Sequence, residues 1–204
     1  MASSTPFLEA VAHRRSIYAL TKDSPIPNSR IQEIIYEALK HAPSPFNVRS
    51  ARAIILFGED HSNLWREAYT ITEKETPQAI SILGLKIRGL ERAKGTVLFF
   101  DDQTAYDSLT PRFRALSKQY TEWEEHSSGM HQFIAWTALE AEGLGCNLPH
   151  YQPSITSYVN ATYEVPEFWR LKCQLVFGGL EEGVPRPEAK EKTHLESALR
   201  VYGA

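Results

Sequence analysis

Two arginines and a serine stand side by side in Arg14-Arg15-Ser16-Ile17-Tyr18, where the first helical stretch ends. Two guanidiniums and a hydroxyl within three residues can clamp an anion. Arginine donates bidentately to phosphate oxygens, and each charge-assisted hydrogen bond contributes about 1.5–3 kcal/mol. The same residues can also close a helix as a solvated basic turn that complements its dipole. A second group is Pro43-Ser44-Pro45-Phe46-Asn47-Val48-Arg49, where prolines fix the backbone and Ser44 and Asn47 offer short polar arms. Such a loop can grip the edge of a flat heterocycle, or be simply a rigid surface turn. A third group runs Gly143-Leu144-Gly145-Cys146-Asn147-Leu148-Pro149-His150-Tyr151-Gln152. Its glycines let backbone approach a ligand closely, or serve only as a helix C-cap with its loop. The fourth pairs Phe177-Gly178-Gly179 with Lys190-Glu191-Lys192. Its lysines can complete a phosphate site or stand in solvent as a charge run.

Other chemistries lack their residues. No Gly-x-Gly-x-x-Gly follows a strand, and there is no Walker A loop and no Gly-x-Ser-x-Gly elbow. His126 and His131 are five apart, off one helical face, and the histidines form no metal-ligand pattern, so no metal site is expected. The net charge of -3 gives no basic excess for nucleic acid. No apolar run approaches the roughly 18 residues of a membrane helix, and Met1 to His13 does not read as a secretory signal. Cys146 and Cys173, in apolar surroundings and without CxxC spacing, read as buried reduced thiols. A cytoplasmic protein is expected, with nuclear presence compatible.

Hydrophobic periodicity organises the elements that must position these groups. It predicts helices over Thr5 to Arg14 and from Asn28 or Ser29 to Lys40, the second with Ile31, Ile34, Ile35, Ala38 and Leu39 on one face. Helices are also expected at Ser62 to Lys74, Ala79 to Arg92 and Ser154 to Asn160, with a partly exposed one over Asp107 to Tyr120. Gly129 to Gly143 is the most apolar helix and is expected to be central. Buried strands are expected at Arg52 to Gly58, Thr96 to Phe100, ended by Asp101 and Asp102, and Leu171 to Gly179. The tail from Glu181 to Ala204 is charged, Pro-bearing and then weakly helical. With 204 residues, 42% of them hydrophobic and 23% charged, and no linker or repeat, the chain reads as one α+β domain over 1–204.

Taken together and in this order, the four groups resemble the nitroreductase family of FMN-dependent flavoproteins. Arg14-Arg15-Ser16 resembles its first FMN segment and Pro43-Ser44-x-x-Asn47 its second. Gln132 to Gly145 resembles the central dimer helix with its terminal turn; Phe177-Gly178-Gly179 and Lys190-Glu191-Lys192 resemble the last strand and phosphate-binding tail. Leu148-Pro149-His150-Tyr151-Gln152 and the short chain look most like the small stress- and copper-induced subfamily of fungi and some bacteria. The resemblance implies an α+β fold with a central, mostly antiparallel sheet wrapped by helices, in an intertwined homodimer whose interface holds FMN.

Residue by residue, the resemblance puts Arg14 and Lys192, helped by Lys190, at the FMN phosphate, counts Arg15 of the same segment among the cofactor-binding residues, and puts Ser16 and Tyr18 at the phosphate–ribityl end or pyrimidine edge. It brings Pro43, Ser44 and Asn47 to the ring from the other chain. Arg49 stands where the family often has Gln, and Tyr18 where it often has a basic residue. Lys86 resembles a lysine at the isoalloxazine N1–C2=O edge, where it stabilises negative charge on reduced flavin. Tyr151 and Gln152 stand near the flavin N5, in place of a Glu-Gly pair, and offer backbone N–H groups. Phe113, Tyr120 and Trp123 are candidates to roof the substrate pocket, with core or dimer packing as the alternative. The implied activity is reduction of nitroaromatic, quinone or similar acceptors by NADH or NADPH through a ping-pong hydride relay, in an oxidative-stress setting. The alternatives are a flavin-dependent oxidase or dehydrogenase of a small metabolite, and a non-catalytic flavin-binding regulator.

Overall fold

The computed structural model describes residues 5–108, 115–116, 119–189, 192–193 and 195–203; two of the candidates, Phe113 and Lys190, lie outside the described residues. Among the described residues the helices are α1 (Thr5–His13), α2 (Asn28–His41), α3 (Gly58–Glu75), α4 (Ile80–Glu91), α5 (Tyr120–Ala141), α6 (Thr156–Thr162) and α7 (Leu195–Ala198). The strands are β1 (Leu20–Thr21), β2 (Ala51–Phe57), β3 (Gly95–Asp102), β4 (Gly145–Asn147) and β5 (Trp169–Leu180).

All pairings between the named strands are antiparallel, in the order β1-β5-β3-β2, with β4 also on β5. Every residue of β3 is buried, because helices cover both faces of the sheet. On one face Leu98 and Phe100 pack with Leu64, Trp65 and Ala68 of α3, Ile87 and Leu90 of α4, and Val159 of α6. On the other, Val97 and Phe99 pack with Ile31, Ile34, Ile35 and Ala38 of α2 and Ala135 and Leu139 of α5. The buried stripe of α2 is thus the one its period predicted.

The β3–β5 ladder carries one irregularity. Phe99 pairs with Cys173 and Phe100 with Leu171, so Lys172 has no partner residue. The bulge moves Leu171 to the opposite core from Cys173 and turns Lys172 toward the first turns of α5.

Several boundaries differ from the periodicity. Two short strands, β1 and β4, were expected as loop; each is two or three residues long and held by β5. β3 continues through Asp101 and Asp102, whose backbones keep pairing with Arg170 and Trp169. α3 begins at Gly58, where Glu59 and Asp60 suit a helix N-terminus. α2 is preceded by Pro27, with no side-chain cap from Asn28 or Ser29. α5 begins at Tyr120, nine residues before the apolar run, because Glu124, Ser127, Ser128 and His131 are buried polar positions invisible to a hydrophobic period. That helix meets the expected 107–120 helix only at Tyr120; the 3-10 helix Gln103–Ser108 takes in its first two residues, and 109–114 and 117–118 lie outside the described residues.

Gly178, singled out in the sequence, has a packing reason. A Cβ there would stand 2.4 Å from the Thr21 carbonyl oxygen and 3.0 Å from the Lys94 nitrogen, both backbone atoms. Gly178→Ala is therefore expected to destabilise the fold by roughly 1–3 kcal/mol, read as a lower thermal midpoint. An unchanged midpoint would show that β1 moves aside freely.

Candidate functional site

The first candidate segment is stitched to β4. Ile17 N–H donates to Cys146 O at 2.8 Å, Ser16 bridges Cys146, and Asn147 Nδ2 donates to Ile17 O at 3.4 Å. This places Tyr18 beside Asn147, and α4 completes an open cleft of about 440 Å³. Its lining includes Tyr18, Leu85, Lys86, Arg92, Asn147 and Tyr151, with Ala19, Gly89, Leu90 and Pro149 between them. Tyr18 and Leu85 stand at its rim, 67% and 74% exposed. The Tyr151 ring packs edge-on against Trp65 at 5.4 Å. Its backbone N–H donates to Gln174 Oε1 at 2.8 Å, so the ring, not that N–H, is what Tyr151 offers.

Behind Tyr18, basic groups gather around one buried carboxylate. Glu140 Oε2 accepts the Arg15 backbone N–H at 2.9 Å and pairs with Arg186, while Oε1 accepts Trp136 Nε1–H at 2.6 Å. The Arg15 guanidinium donates to Arg14 O at 2.6 Å, and the Arg14 guanidinium lies 4.3 Å over the Trp136 ring. Arg186 also donates to His13 O at 3.0 Å, and its buried Nε has no partner among the described residues. Burial raises the Glu140 pKa; the Arg15 N–H, the Trp136 indole and the nearby guanidiniums oppose that rise. Lys192 is exposed. Arg186 stands at the same carboxylate as the Arg15 backbone, and the only signal for it in the sequence is its setting between Pro185 and Pro187.

The Pro43–Arg49 loop lies at a different cavity of about 440 Å³, lined by Ser44, Asn47, Arg49, Tyr36, Arg52 and His131 among others. The loop is strained: Phe46, Asn47 and Arg49 have φ of 50, 55 and 55°, a region that residues with side chains seldom enter. Local hydrogen bonds and packing hold it there. Arg49 N–H donates to Ser44 Oγ at 3.0 Å, Arg49 Nε–H to Asn47 Oδ1 at 3.2 Å, and Ser127 Oγ–H to Pro43 O at 3.2 Å. Phe46 packs edge-on against Trp123 at 5.7 Å, and Tyr120 links Trp123 to Tyr106 in a row of rings. Tyr120 and Trp123 therefore stand with Ser44 and Asn47, not with Lys86. Gln152 lines a third cavity, with Pro153, Trp169 and Arg170. No three His, Cys, Asp or Glu side chains converge as a metal site, and no helix is long and apolar enough to cross a membrane, among the described residues.

Comparison with known proteins decides the family. The Nitroreductase family model matches residues 11–179. The chain belongs to the nitroreductase family. HBN1 and the nitroreductase FRM2, both from Saccharomyces cerevisiae, are each 31% identical to it over 99% of this chain and 100% of their own length. Nitroreductase CinD from Lactococcus lactis, solved in complex with chloramphenicol, superposes with a TM-score of 0.84 at 32% identity, covering 97% of this chain and all of CinD. CinD has also been solved with 4-nitrophenol. A family structure from Desulfovibrio desulfuricans in complex with FMN shares the fold, with a TM-score of 0.67 at 19% identity over 98% of both chains.

Beneath the aromatic row of this nitroreductase lies an acidic cluster. Asp101 and Glu124 are buried together. Lys172 pairs with Glu124 and, at 2.7 Å, with Glu125, and Arg170 Nη1 is 3.6 Å from Glu124. Burial, then the Glu124 charge, pushes Asp101 up to about 6, against the nearby Ser50 hydroxyl and the Lys172 charge. A carboxyl raised in the folded state stabilises the fold while protonated and loses that stability as pH rises from about 4 to about 6. Asp101→Asn removes the titrating carboxyl and keeps the shape of the side chain and an acceptor for Gln103. Its thermal midpoint should match wild type near pH 4 and exceed it above pH 6 by a few degrees, the equivalent of about 1 kcal/mol. A lower midpoint for the variant at every pH would contradict this account.

Proposed function

We propose that this chain is an FMN-dependent oxidoreductase that uses NADH or NADPH to reduce nitroaromatic, quinone or similar acceptors. We further propose that it works as a homodimer in the cytoplasm, in an oxidative-stress response. One observation carries the reading: the segment bearing Arg14 and Arg15 runs directly into an open cleft that holds Lys86 and two tyrosines. The cleft volume of about 440 Å³ lies in the range of small-molecule sites. Leu85, Leu90 and Pro149 suit a flat ring, and the partnerless Arg186 Nε–H is a donor that a phosphate oxygen would satisfy.

Arg14, Arg15 and Arg186 hold the phosphate, and Lys192 adds charge from the tail. Glu140 neutralises one of three guanidiniums, which leaves about two positive charges for a phosphate that carries about -1.5 to -2. Lys86 places an ammonium on the cleft wall where it stabilises negative charge on the ring edge. Tyr18 and Tyr151 border the ring with their side chains. FMN held there would supply the redox chemistry, hydride acceptance and electron delivery, which no side chain of the cleft provides. No side-chain nucleophile is needed.

The cleft is too open to exclude water with one chain. Exposed apolar groups at its rim, and Phe7, Leu8, Leu199 and Tyr202 elsewhere, favour cover by a second copy. Ser44, Asn47, Tyr120 and Trp123, held apart from Lys86 in their own subunit, then form the surface that closes the partner's site. The 4-nitrophenol complex of CinD supports the nitroaromatic class, and the D. desulfuricans complex supports FMN. The buried free thiols of Cys146 and Cys173 fit a reducing compartment.

Purified protein should be yellow or turn so with FMN, bleach with NADH under nitrogen, and regain colour with a nitroaromatic. Steady-state kinetics should give parallel double-reciprocal lines. A colourless monomer that ignores FMN overturns the reading, and flavin retained without NAD(P)H oxidation moves it to an oxidase. Arg14→Ala and Arg186→Ala should each weaken FMN binding by roughly one to two powers of ten, in a fluorescence titration. Unchanged affinity in Arg186→Ala with a loss in Lys192→Ala would return the phosphate to the tail lysine.

A further inference from the structure

Gln174 is a fully buried polar residue in the middle of β5, flanked in sequence by the core residues Cys173 and Leu175. Burying an amide costs free energy unless both of its ends are bonded, and here both ends serve one loop. Gln174 Oε1 accepts the Tyr151 N–H at 2.8 Å, and Nε2–H donates to Gln152 Oε1 at 3.0 Å. The Gln152 amide then donates to Lys172 O. The Gln174 backbone N–H adds a bond to Pro149 O at 3.2 Å. The side-chain relay has a forced direction. A backbone N–H at Tyr151 can only donate and a carbonyl at Lys172 can only accept, so both amides between them must point one way. Such a chain reinforces itself. It also fixes the segment whose Pro149 and Tyr151 form one wall of the candidate cofactor cleft.

We propose that Gln174 is a positioning residue for that cleft: it touches no part of the cofactor and sets the Pro149–Gln152 wall against the flavin ring. The proposal rests on the functional reading above. Its action is confined to the ring end, because the phosphate end is organised separately by Glu140, Arg14 and Arg186.

The test compares wild type with Gln174→Leu, and with Gln152→Ala, which breaks the same relay at a half-buried position where folding is less at risk. In flavin-free protein, hydrogen exchange at the Tyr151 amide should quicken by roughly tenfold in Gln174→Leu, the worth of about one hydrogen bond, and by a smaller factor in Gln152→Ala, which keeps the acceptor but frees it to turn, while exchange in β3 stays as in wild type. With flavin, the visible absorption band should shift. Affinity for FMN and for riboflavin, which lacks the phosphate, should fall by the same factor of roughly ten, whereas Arg186→Ala should weaken FMN alone. Unchanged Tyr151 exchange overturns the proposal. So does faster exchange with the flavin spectrum and both affinities unmoved, which would make the relay purely structural. A wild-type protein that takes up neither flavin overturns the functional reading itself, and this positioning role with it, before any variant is made.

Discussion

β5 is hydrogen-bonded to β3 from Trp169 to Phe177, to β4 from Val176 to Gly178, and to β1 at Gly179 and Leu180. That double-edged pairing is the constraint on which the candidate site depends. β3 can stay straight between two helical layers because its side chains are apolar on both faces from Val97 to Phe100. β5 cannot be uniform in the same way, because it must also receive the chain's first segment and the turn after α5. Its two glycines let the Thr21 and Asp23 backbones come close. Its bulge redirects Lys172, and its one buried amide takes up the loop after β4. The Arg14–Tyr18 segment reaches the cleft because β4 holds it, and β4 is held by β5.

Two buried charged groups beside the sheet tie parts of the candidate site together. Glu140 ties the Arg15 backbone, Trp136 and Arg186 together. Lys172 ties β5 to the first turns of α5, next to Tyr120 and Trp123. Replacing such groups with apolar ones need not cost stability, since a buried ion pair seldom outperforms a well-packed hydrophobic substitute. Their benefit lies in direction. An apolar contact tolerates sliding, whereas a carboxylate with three donors or an amide with two partners admits one arrangement. A cleft that must present cations at one end and rings at the other requires that restriction.

How much of this was legible in the sequence depends on the kind of signal. The α2 stripe and the β3 and β5 runs were readable because burial there is apolar and periodic. The start of α5 was not, because Glu124, Ser127 and His131 are buried polar residues and look like surface in a one-dimensional pattern. β1 and β4 are too short to carry a period and exist only through β5. At the site, Tyr18, Lys86 and Tyr151 were named from the chain and come together. Arg186 was missed because one arginine between two prolines gives no sign that it folds back onto His13 and Glu140, 173 and 46 residues away in sequence. Gln152 was named near the ring for its backbone N–H; its side chain is drawn to Gln174 and Lys172. A single strong acceptor on a buried strand decides that geometry, and sequence spacing cannot display it.

The separation of the candidate residues into two places follows from the same architecture. The cleft lies where β4 and α4 meet, while the strained Pro43–Arg49 loop is pinned to α5 through Ser127 and Trp123. Positive φ at three side-chain-bearing residues costs of order 1–3 kcal/mol each, and neither Ser44 nor Asn47 helps to line the cleft of its own chain. Strain of that size persists only where the surrounding contacts over-determine it, and here a ring contact, a hydroxyl and two bonds within the loop do so. A loop held this firmly, yet aimed away from its own cleft, makes physical sense as a surface shaped for another molecule. On the reading proposed here that molecule is a second copy of the chain, and each cofactor then sits between a wall set by β5 of one subunit and a loop set by α5 of the other.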